Sequence, residues 1–428
     1  MEVRLTEWHR AAAGPNSAFP VLNGLFLDEP SIQNFLERHT LGDRLRVSES
    51  RHGLVVEARQ HVGVLQLGPL RVSIQPKMAT SSLWSAVTYA LGLDDLIRHA
   101  PVELEMAGGF ADLLAQMMLL EAERLWRTGI QRGYQETREW RQTVRGRPDV
   151  VAMARSGPLT RAALPCRFGD YTADIDANQL VLAGLSLAEQ MTSHLPLRAA
   201  LHRAGQQWST VCRRVPLNRA MLDRADRSRD RLSARYAGAH RLVRLLFERA
   251  GLDDLPDSGV DRLPGFLWNM ASLFERFVAR FLRDNLAEHE VLTQEKLAHL
   301  YRVVRAGPRL TAPRPRPDLV VRRRADNRTV GVFDTKYRDL WATKLPREIL
   351  YQMSVYALAW SERQGADVPA IVLYPAVGVV HPDMVLSLDV RGAAPRRIVL
   401  RAVDWAHAAA HLGQNQSALA EHWVRTTP

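Results

Sequence analysis

Apolar residues recur along this chain in two rhythms, and the rhythm changes several times. Up to about residue 80, short alternating or β-branched runs lie between Gly and Pro, as in "GLVVEARQHVGVLQLGPLRVSIQPKM" from Gly53 to Met78. That punctuation predicts a small barrel or an antiparallel sheet with hairpins. The spacing then turns helical. Ser82 is a candidate N-cap for the run that follows it, and "ADLLAQMMLLEAERLWRTG" carries an apolar stripe that Gly129 ends. Leu113, Met117, Leu120 and Leu125 on that stripe are expected in the core. "YQETREWRQTVRGRPDV" follows as a basic strand or loop around Arg145, Gly146 and Arg147, and residues 178–250 read as Arg-rich helices. Their Arg residues alternate with Asp, as on a solvated face laced with ion pairs.

"LDDLPDSGVDRLPG" clusters Pro, Gly, Ser and acids and is the clearest linker, which places a boundary near residue 260. Beyond it the order reads α-β-β-β-α-β. A helix over "LWNMASLFERFVARFLRDNL" precedes strands near 300–304, 318–323 and 329–337. "REILYQMSVYALAWSER" is a second helix and "AIVLYPA" a fully buried strand. Interleaved helices and strands predict an α/β sandwich around a mixed sheet. The fold class is therefore multidomain α/β (α+β). Residues 1–155 form a β-rich and helical region, 156–260 a helical Arg-rich middle, and 261–428 the C-terminal α/β domain.

Length supports several domains, since 428 residues exceed one ordinary core. The net charge of +11 and pI of about 10.1 suggest an anionic partner, most simply nucleic acid. Two cysteines, Cys166 and Cys212, are too few for a disulfide scaffold or a Cys-ligated zinc site. No signal-peptide core or run of 18 apolar residues occurs, so a cytoplasmic protein without membrane contact is expected. There is no G-x-x-x-x-G-K-[ST], so the chain has no P-loop nucleotide site, and any GTP- or ATP-driven engine must come from another chain.

Chemistry concentrates in "RPDLVVRRRADNRTVGVFDTKYRDL". Asp318 opens one apolar run; Asp334 lies inside the next, with Lys336 two places on. Only four of the 57 basic residues are Lys: Lys77, Lys296, Lys336 and Lys344. Lys differs from Arg in being a compact charge whose pKa burial can move. A single D-x-K is also what a strand-edge ion pair looks like. Two carboxylates brought together across a hairpin repel, and Mg²⁺ relieves that conflict, taking one or two carboxylates plus waters and phosphate oxygens. The Thr335 carbonyl offers a further oxygen, and Lys336 shares a strand face with Asp334. Glu275 is a second-tier candidate, although pairing with Arg276 or Arg280 explains it nearly as well. Gln352 and Tyr356, four apart, share one helix face.

The ordered set Glu275, Pro317-Asp318, Asp334-Thr335-Lys336 and Gln352-x-x-x-Tyr356 resembles the PD-(D/E)xK nuclease core with a RecB-like Q-x-x-x-Y helix. Most of the chain resembles the McrC family of McrBC-type restriction systems, through "VGVLQLGPLRVSIQPKM", "RGYQETREWRQTVRGRPDV", "FGDYTADIDANQLV" and "FERFVARFL". The resemblance is looser between residues 180 and 260. It implies a DNA endonuclease subunit using Mg²⁺ (or Mn²⁺). Asp318 and Asp334 would hold metal, Lys336 would serve the nucleophile, and Glu275 and Gln352 would support them. It also implies an N-terminal part that docks on a hexameric AAA+ GTPase, McrB. The substrate would be double-stranded DNA whose methylcytosine the partner recognises. Two alternatives stay open: a RecB-like nuclease acting without McrB, and a non-catalytic adaptor of an AAA+ motor.

Overall fold

The computed structural model describes residues 1–26, 45–67, 69–93, 109–155, 163–192, 194–227, 233–249, 265–297, 300, 315–376, 378–390 and 394–426. It is a mixed α/β protein. The strand expected at 300–304 and the linker at 252–265 fall outside the described residues, apart from residues 265 and 300. The β-rich start is present as strands Glu2–Thr6, Arg10–Ala12, Leu45–Ser50, Gly53–Ala58, His61–Leu67 and Leu70–Gln75. Gly53–Ala58 pairs antiparallel with both Arg10–Ala12 and Leu45–Ser50.

Two compact units are formed from non-consecutive stretches: Met1–Glu2, Gly63–Ser73 and Met106–Leu267 in one, and Val3–Val62, Ile74–Glu105 and Trp268–Pro428 in the other. This grouping cuts across the three consecutive segments 1–155, 156–260 and 261–428. The physical reason lies in packing. The helix Thr80–Ala90 lies against the helices Met270–Asn285 and Trp405–Ala410. The Tyr89 hydroxyl donates to Asp284 at 2.7 Å, and Arg280 stacks over the Tyr89 ring.

The first unit is mainly helical, with Gly109–Arg127, Asp176–Met191, Leu195–Ser209, Arg219–Arg227 and Ala237–Arg249. Leu113, Met117 and Leu125 are buried as the stripe predicts, whereas Leu120 is only half-buried. A long ladder pairs Gly133–Arg141 antiparallel with Leu164–Thr172. Arg145 bonds Asp170 at 3.0 Å and lies over the Phe168 ring, while Glu136 and Glu139 pair with Arg138 and Arg141. Gly146 takes φ +74°, and a Cβ there would sit 2.3 Å from the Arg167 carbonyl oxygen.

In the second unit the described residues form a six-stranded sheet. Its order is His289–Thr293, Leu319–Arg323, Thr329–Thr335, Ala370–Pro375, Arg396–Val403 and Met384–Leu388. The central pairs, Thr329–Thr335 with Ala370–Pro375 and Ala370–Pro375 with Arg396–Val403, are parallel, and the outer pairs antiparallel. "AIVLYP" is buried throughout, as a strand covered on both faces must be. The crossover helix Arg347–Gln364 starts after Pro346 and stops at Gly365, which adopts φ +67° as a left-handed C-terminal cap. Met353, Tyr356 and Trp360 on this helix pack with Val320, Val332, Val372 and Leu400 of the sheet.

The other long helix begins later than expected. Leu267, Trp268 and Asn269 end a strand, Gly265–Asn269, and the helix is Met270–Asn285. Asn269 is the reason: its side-chain oxygen accepts from the Ala271 and Ser272 amides, at 2.9 and 3.4 Å, and caps the first turn. Phe274, Phe277, Phe281 and Leu282 form its buried stripe.

Candidate active site

The register of the central hairpin brings the acids together. Leu319 pairs with Phe333 and Val320 with Val332, so Asp318 stands opposite Asp334, one step further along the ladder. This is the carboxyl end of the Thr329–Thr335 strand, where open α/β sheets place their ligand sites.

Each acid is held by a different device. The Asp318 Oδ2 accepts two bonds from Thr335, one from its amide and one from its hydroxyl, both at 2.7 Å. The Asp334 Oδ1 accepts from Gln352 Nε2 at 3.0 Å, reached from the crossover helix. Gln352 Nε2 also lies 3.1 Å from the Tyr356 hydroxyl, which donates to the Arg316 carbonyl at 2.7 Å. The two helix residues thus act as one unit, tying Asp334 to the chain just before Asp318. The other Asp334 oxygen, Oδ2, is buried and touches the Lys336 ammonium, a charge contact poorly aligned for a hydrogen bond.

Glu275 comes from the Met270–Asn285 helix, where it accepts from Gln294 Nε2 at 3.1 Å. Arg280 turns away from it to Asp284 and the Tyr89 carbonyl. Gln294 sits just beyond the edge strand in the left-handed region at φ +54°, and its amide donates to the Asp318 carbonyl at 3.1 Å. A non-Gly residue there costs strain that the surroundings must hold in place.

The charges feel one another. Burial first, then repulsion from Asp318, pushes the Asp334 carboxyl up to about 6, with Lys336 pulling the other way. Burial and then Asp318 also raise Glu275. Burial raises the Tyr356 phenol.

The residues proposed from the sequence for the catalytic site therefore meet in one place: Glu275, Asp318, Asp334, Thr335, Lys336, Gln352 and Tyr356. Sequence reasoning missed Gln294 entirely and took Thr335 only as a carbonyl donor. A signal for Thr335 existed, since a hydroxyl at the centre of D-T-K faces the strand that Asp318 opens. Gln294 follows a strand absent from the expected set and offered no such signal.

A divalent ion can be tested against this donor set. Among the described residues, no three His, Cys, Asp or Glu side chains are grouped closely enough to hold a metal by themselves. Asp318 and Asp334 are nevertheless juxtaposed, and Lys336 is in contact with Asp334. Two hard carboxylates fit Mg²⁺, which seldom takes a full cage of protein ligands.

A protein-family model described as McrBC 5-methylcytosine restriction system component matches residues 56–375. No curated protein matches. Among solved structures, the chain superposes on a chain of the refined half-complex from a tetradecameric assembly of Thermococcus gammatolerans McrB AAA+ hexamers with bound McrC. The TM-score is 0.63 at 16% identity, covering 99% of both chains. A second match, to the cryo-EM structure of the Thermococcus gammatolerans McrBC complex, has a TM-score of 0.44 at 17% identity and covers 67% of this chain and 88% of that one. The first likeness speaks to the fold alone. Among the described residues, no helix is long and apolar enough to cross a membrane. With three quarters of its length inside the family model, the chain belongs to the McrBC family of 5-methylcytosine restriction system components.

Proposed function

We propose that this chain is the DNA endonuclease subunit of its restriction system, hydrolysing phosphodiesters with Mg²⁺, or Mn²⁺ in its place. The observation that carries the proposal is the pair Asp318 and Asp334 on facing strand positions, with Lys336 against one and Gln352 fixing the other.

Asp318 and Asp334 would hold the ion, with the Thr335 carbonyl as a further oxygen; Glu275, a sequence candidate for the same role, does not group closely enough with them to complete a three-carboxylate site. When bound, the ion supplies Lewis-acid neutralisation of phosphate charge and a more acidic water. The chain's own residues do the rest. Thr335 locks one Asp318 oxygen, which leaves the other directed by the strand and not by a free rotor. Gln352 does the same for Asp334. Lys336 sets a positive charge where negative charge grows on the phosphoryl oxygens, and its ammonium can orient the attacking water. Glu275, kept more basic by burial and by Asp318, can take a proton from that water.

The family and the 0.63 fold likeness support a hexameric AAA+ GTPase like McrB as the partner. In this reading the partner recognises methylcytosine in double-stranded DNA and drives the chain along it. Docking is assigned to the part of residues 1–155 that lies in the helical unit, because residues 3–62 and 74–105 group with the proposed catalytic sheet. Tests therefore use the full chain and not a 261–428 fragment, which would lose the helix packed on Met270–Asn285.

The decisive experiment is Asp334→Ala, assayed with an McrB-like GTPase partner. Cleavage of methylated duplex should vanish, and wild-type cleavage should vanish in EDTA, while circular dichroism and GTPase stimulation stay as in wild type. Full cutting by Asp334→Ala with metal present would sink the assignment.

A further inference from the structure

The proposed reaction leaves one buried acid of the second unit unused. Glu7 lies just past the Glu2–Thr6 strand and is fully buried. Its Oε1 accepts from the Lys77 amide and from the Tyr337 hydroxyl, both at 2.8 Å. Its Oε2 has no hydrogen-bond partner among the described residues. Burying a carboxyl with one oxygen bare costs free energy that an apolar side chain there would not. What the acid contributes is the bond to Tyr337, the residue directly after Lys336.

Tyr337 stands where the sheet at the candidate site runs out. The strand ends at Thr335. Beyond it the Lys336 amide donates to the Leu373 carbonyl at 2.9 Å, and the Lys336 ammonium reaches back to Asp334. The Tyr337 ring meets Trp405 edge-on with centroids 5.9 Å apart, and Phe274 at 6.0 Å. Phe274 is the neighbour of Glu275, so one tyrosine joins the segment that carries Lys336 to the helix that carries Glu275. Tyr337 also lines a cavity of about 480 Å³, with Trp8, Lys77 and Arg338 among its other walls. A side chain that borders a void lacks partner atoms there, so packing holds the ring over only part of its surface. The hydroxyl bond to Glu7 supplies the missing constraint at the tip of the ring.

We propose that Glu7 and Tyr337 are positioning residues for the nuclease centre. The carboxyl fixes the tyrosine, and the tyrosine fixes the end of D-T-K that presents Lys336. Both act through Lys336 and not on the substrate, so the inference rests on the nuclease reading. Asp318 and Asp334 have anchors of their own in Thr335 and Gln352. Loss of the Glu7–Tyr337 bond therefore displaces Lys336 and leaves the two acids in place.

The test is Tyr337→Phe in the full chain, which removes the hydroxyl and keeps the ring against Trp405 and Phe274. With an McrB-like partner and saturating Mg²⁺, single-turnover cleavage should fall about tenfold, the scale of one lost hydrogen bond to a carboxyl. The Mg²⁺ midpoint and the affinity for duplex should stay within about twofold of wild type, because the acids have not moved. Glu7→Met removes the acceptor and should lose a similar factor. Glu7→Gln keeps an oxygen for both donors and should recover most of that loss. A second readout needs no activity. The chain has four lysines, Lys77, Lys296, Lys336 and Lys344, so isotope-labelled reductive methylation gives a small set of NMR signals. Lys336→Arg identifies the one from Lys336. Tyr337→Phe should move that signal and leave the Lys296 signal in place. A Tyr337→Phe rate within about twofold of wild type overturns the proposal, as does an unmoved Lys336 signal. Rate, midpoint and duplex affinity worsening together also overturn it, since a loosened fold acts on all three. Absence of cutting by wild type removes the nuclease reading alone, and the lysine signal then decides whether Glu7 and Tyr337 position Lys336.

Discussion

Replacing Thr335 with Val isolates one element of the candidate site without touching a carboxylate. The substitution keeps side-chain volume and a β-branched residue in a strand, and it deletes the hydroxyl that donates to Asp318 Oδ2 at 2.7 Å. The Thr335 amide bond to the same oxygen, also 2.7 Å, remains. A hydrogen bond to a charged group is worth about 1.5–3 kcal/mol, and Asp318 is only half-buried and keeps its second donor. The loss should therefore fall at or just below the bottom of that range, about 1–1.5 kcal/mol in the placement of Asp318. If that energy is expressed in the transition state, the cleavage rate falls about tenfold at saturating Mg²⁺. If it is expressed in ion binding, the Mg²⁺ midpoint rises by a similar factor. Single-turnover cleavage across a Mg²⁺ titration reads both, with circular dichroism confirming the fold. A rate and a midpoint both within about twofold of wild type would refute the view that Thr335 positions Asp318 for catalysis.

Lys336→Arg keeps a positive charge but replaces a compact ammonium with a planar fork, and should lose most of the cleavage rate; activity within a few-fold of wild type would reduce Lys336 to a generic cation. Glu7 has a folded pKa raised above 4.5 by burial, so the native state binds its proton more tightly than the unfolded chain does. That contribution to stability is complete below 4.5 and is lost as pH rises through the folded value. Glu7→Gln should therefore flatten the fall in unfolding midpoint above pH 4.5, and an unaltered pH profile of thermal unfolding contradicts the argument. Gly146→Ala places a Cβ 2.3 Å from the Arg167 carbonyl oxygen at φ +74°, and should destabilise by at least about 1 kcal/mol, seen as a lower melting temperature.

The candidate site was legible because its parts are local motifs on elements with strong periodicity. D-T-K lies in a β-branched run, and Q-x-x-x-Y depends only on the helical repeat, which brings Gln352 and Tyr356 within 3.1 Å. The elements that escaped notice have physical reasons for doing so. His289–Thr293 is an edge strand with only Val291 buried, so it shows almost no alternation. Arg396–Val403 hides Arg401 in its interior. That guanidinium is 2% exposed and neutralised by Asp383 and by the His422 and Trp423 carbonyls, contacts no linear pattern announces.

By itself the sequence determined the mixed α/β class, the two helices and the strands around the candidate site, and its candidate acids Glu275, Asp318 and Asp334 together with Lys336, Gln352 and Tyr356. Local spacing and residue chemistry suffice for these, since each depends on neighbours within a few positions. Only the tertiary structure decided which distant segments share a core. Glu7 meets Tyr337 across 330 positions and Tyr89 meets Asp284 across 195. Such pairings follow from the burial of whole helix and sheet faces, which a linear pattern marks as apolar without naming the partner face. The same holds for Gln294 and for the cavity beside Glu7, whose walls come from stretches of chain that nothing in their own sequence binds together.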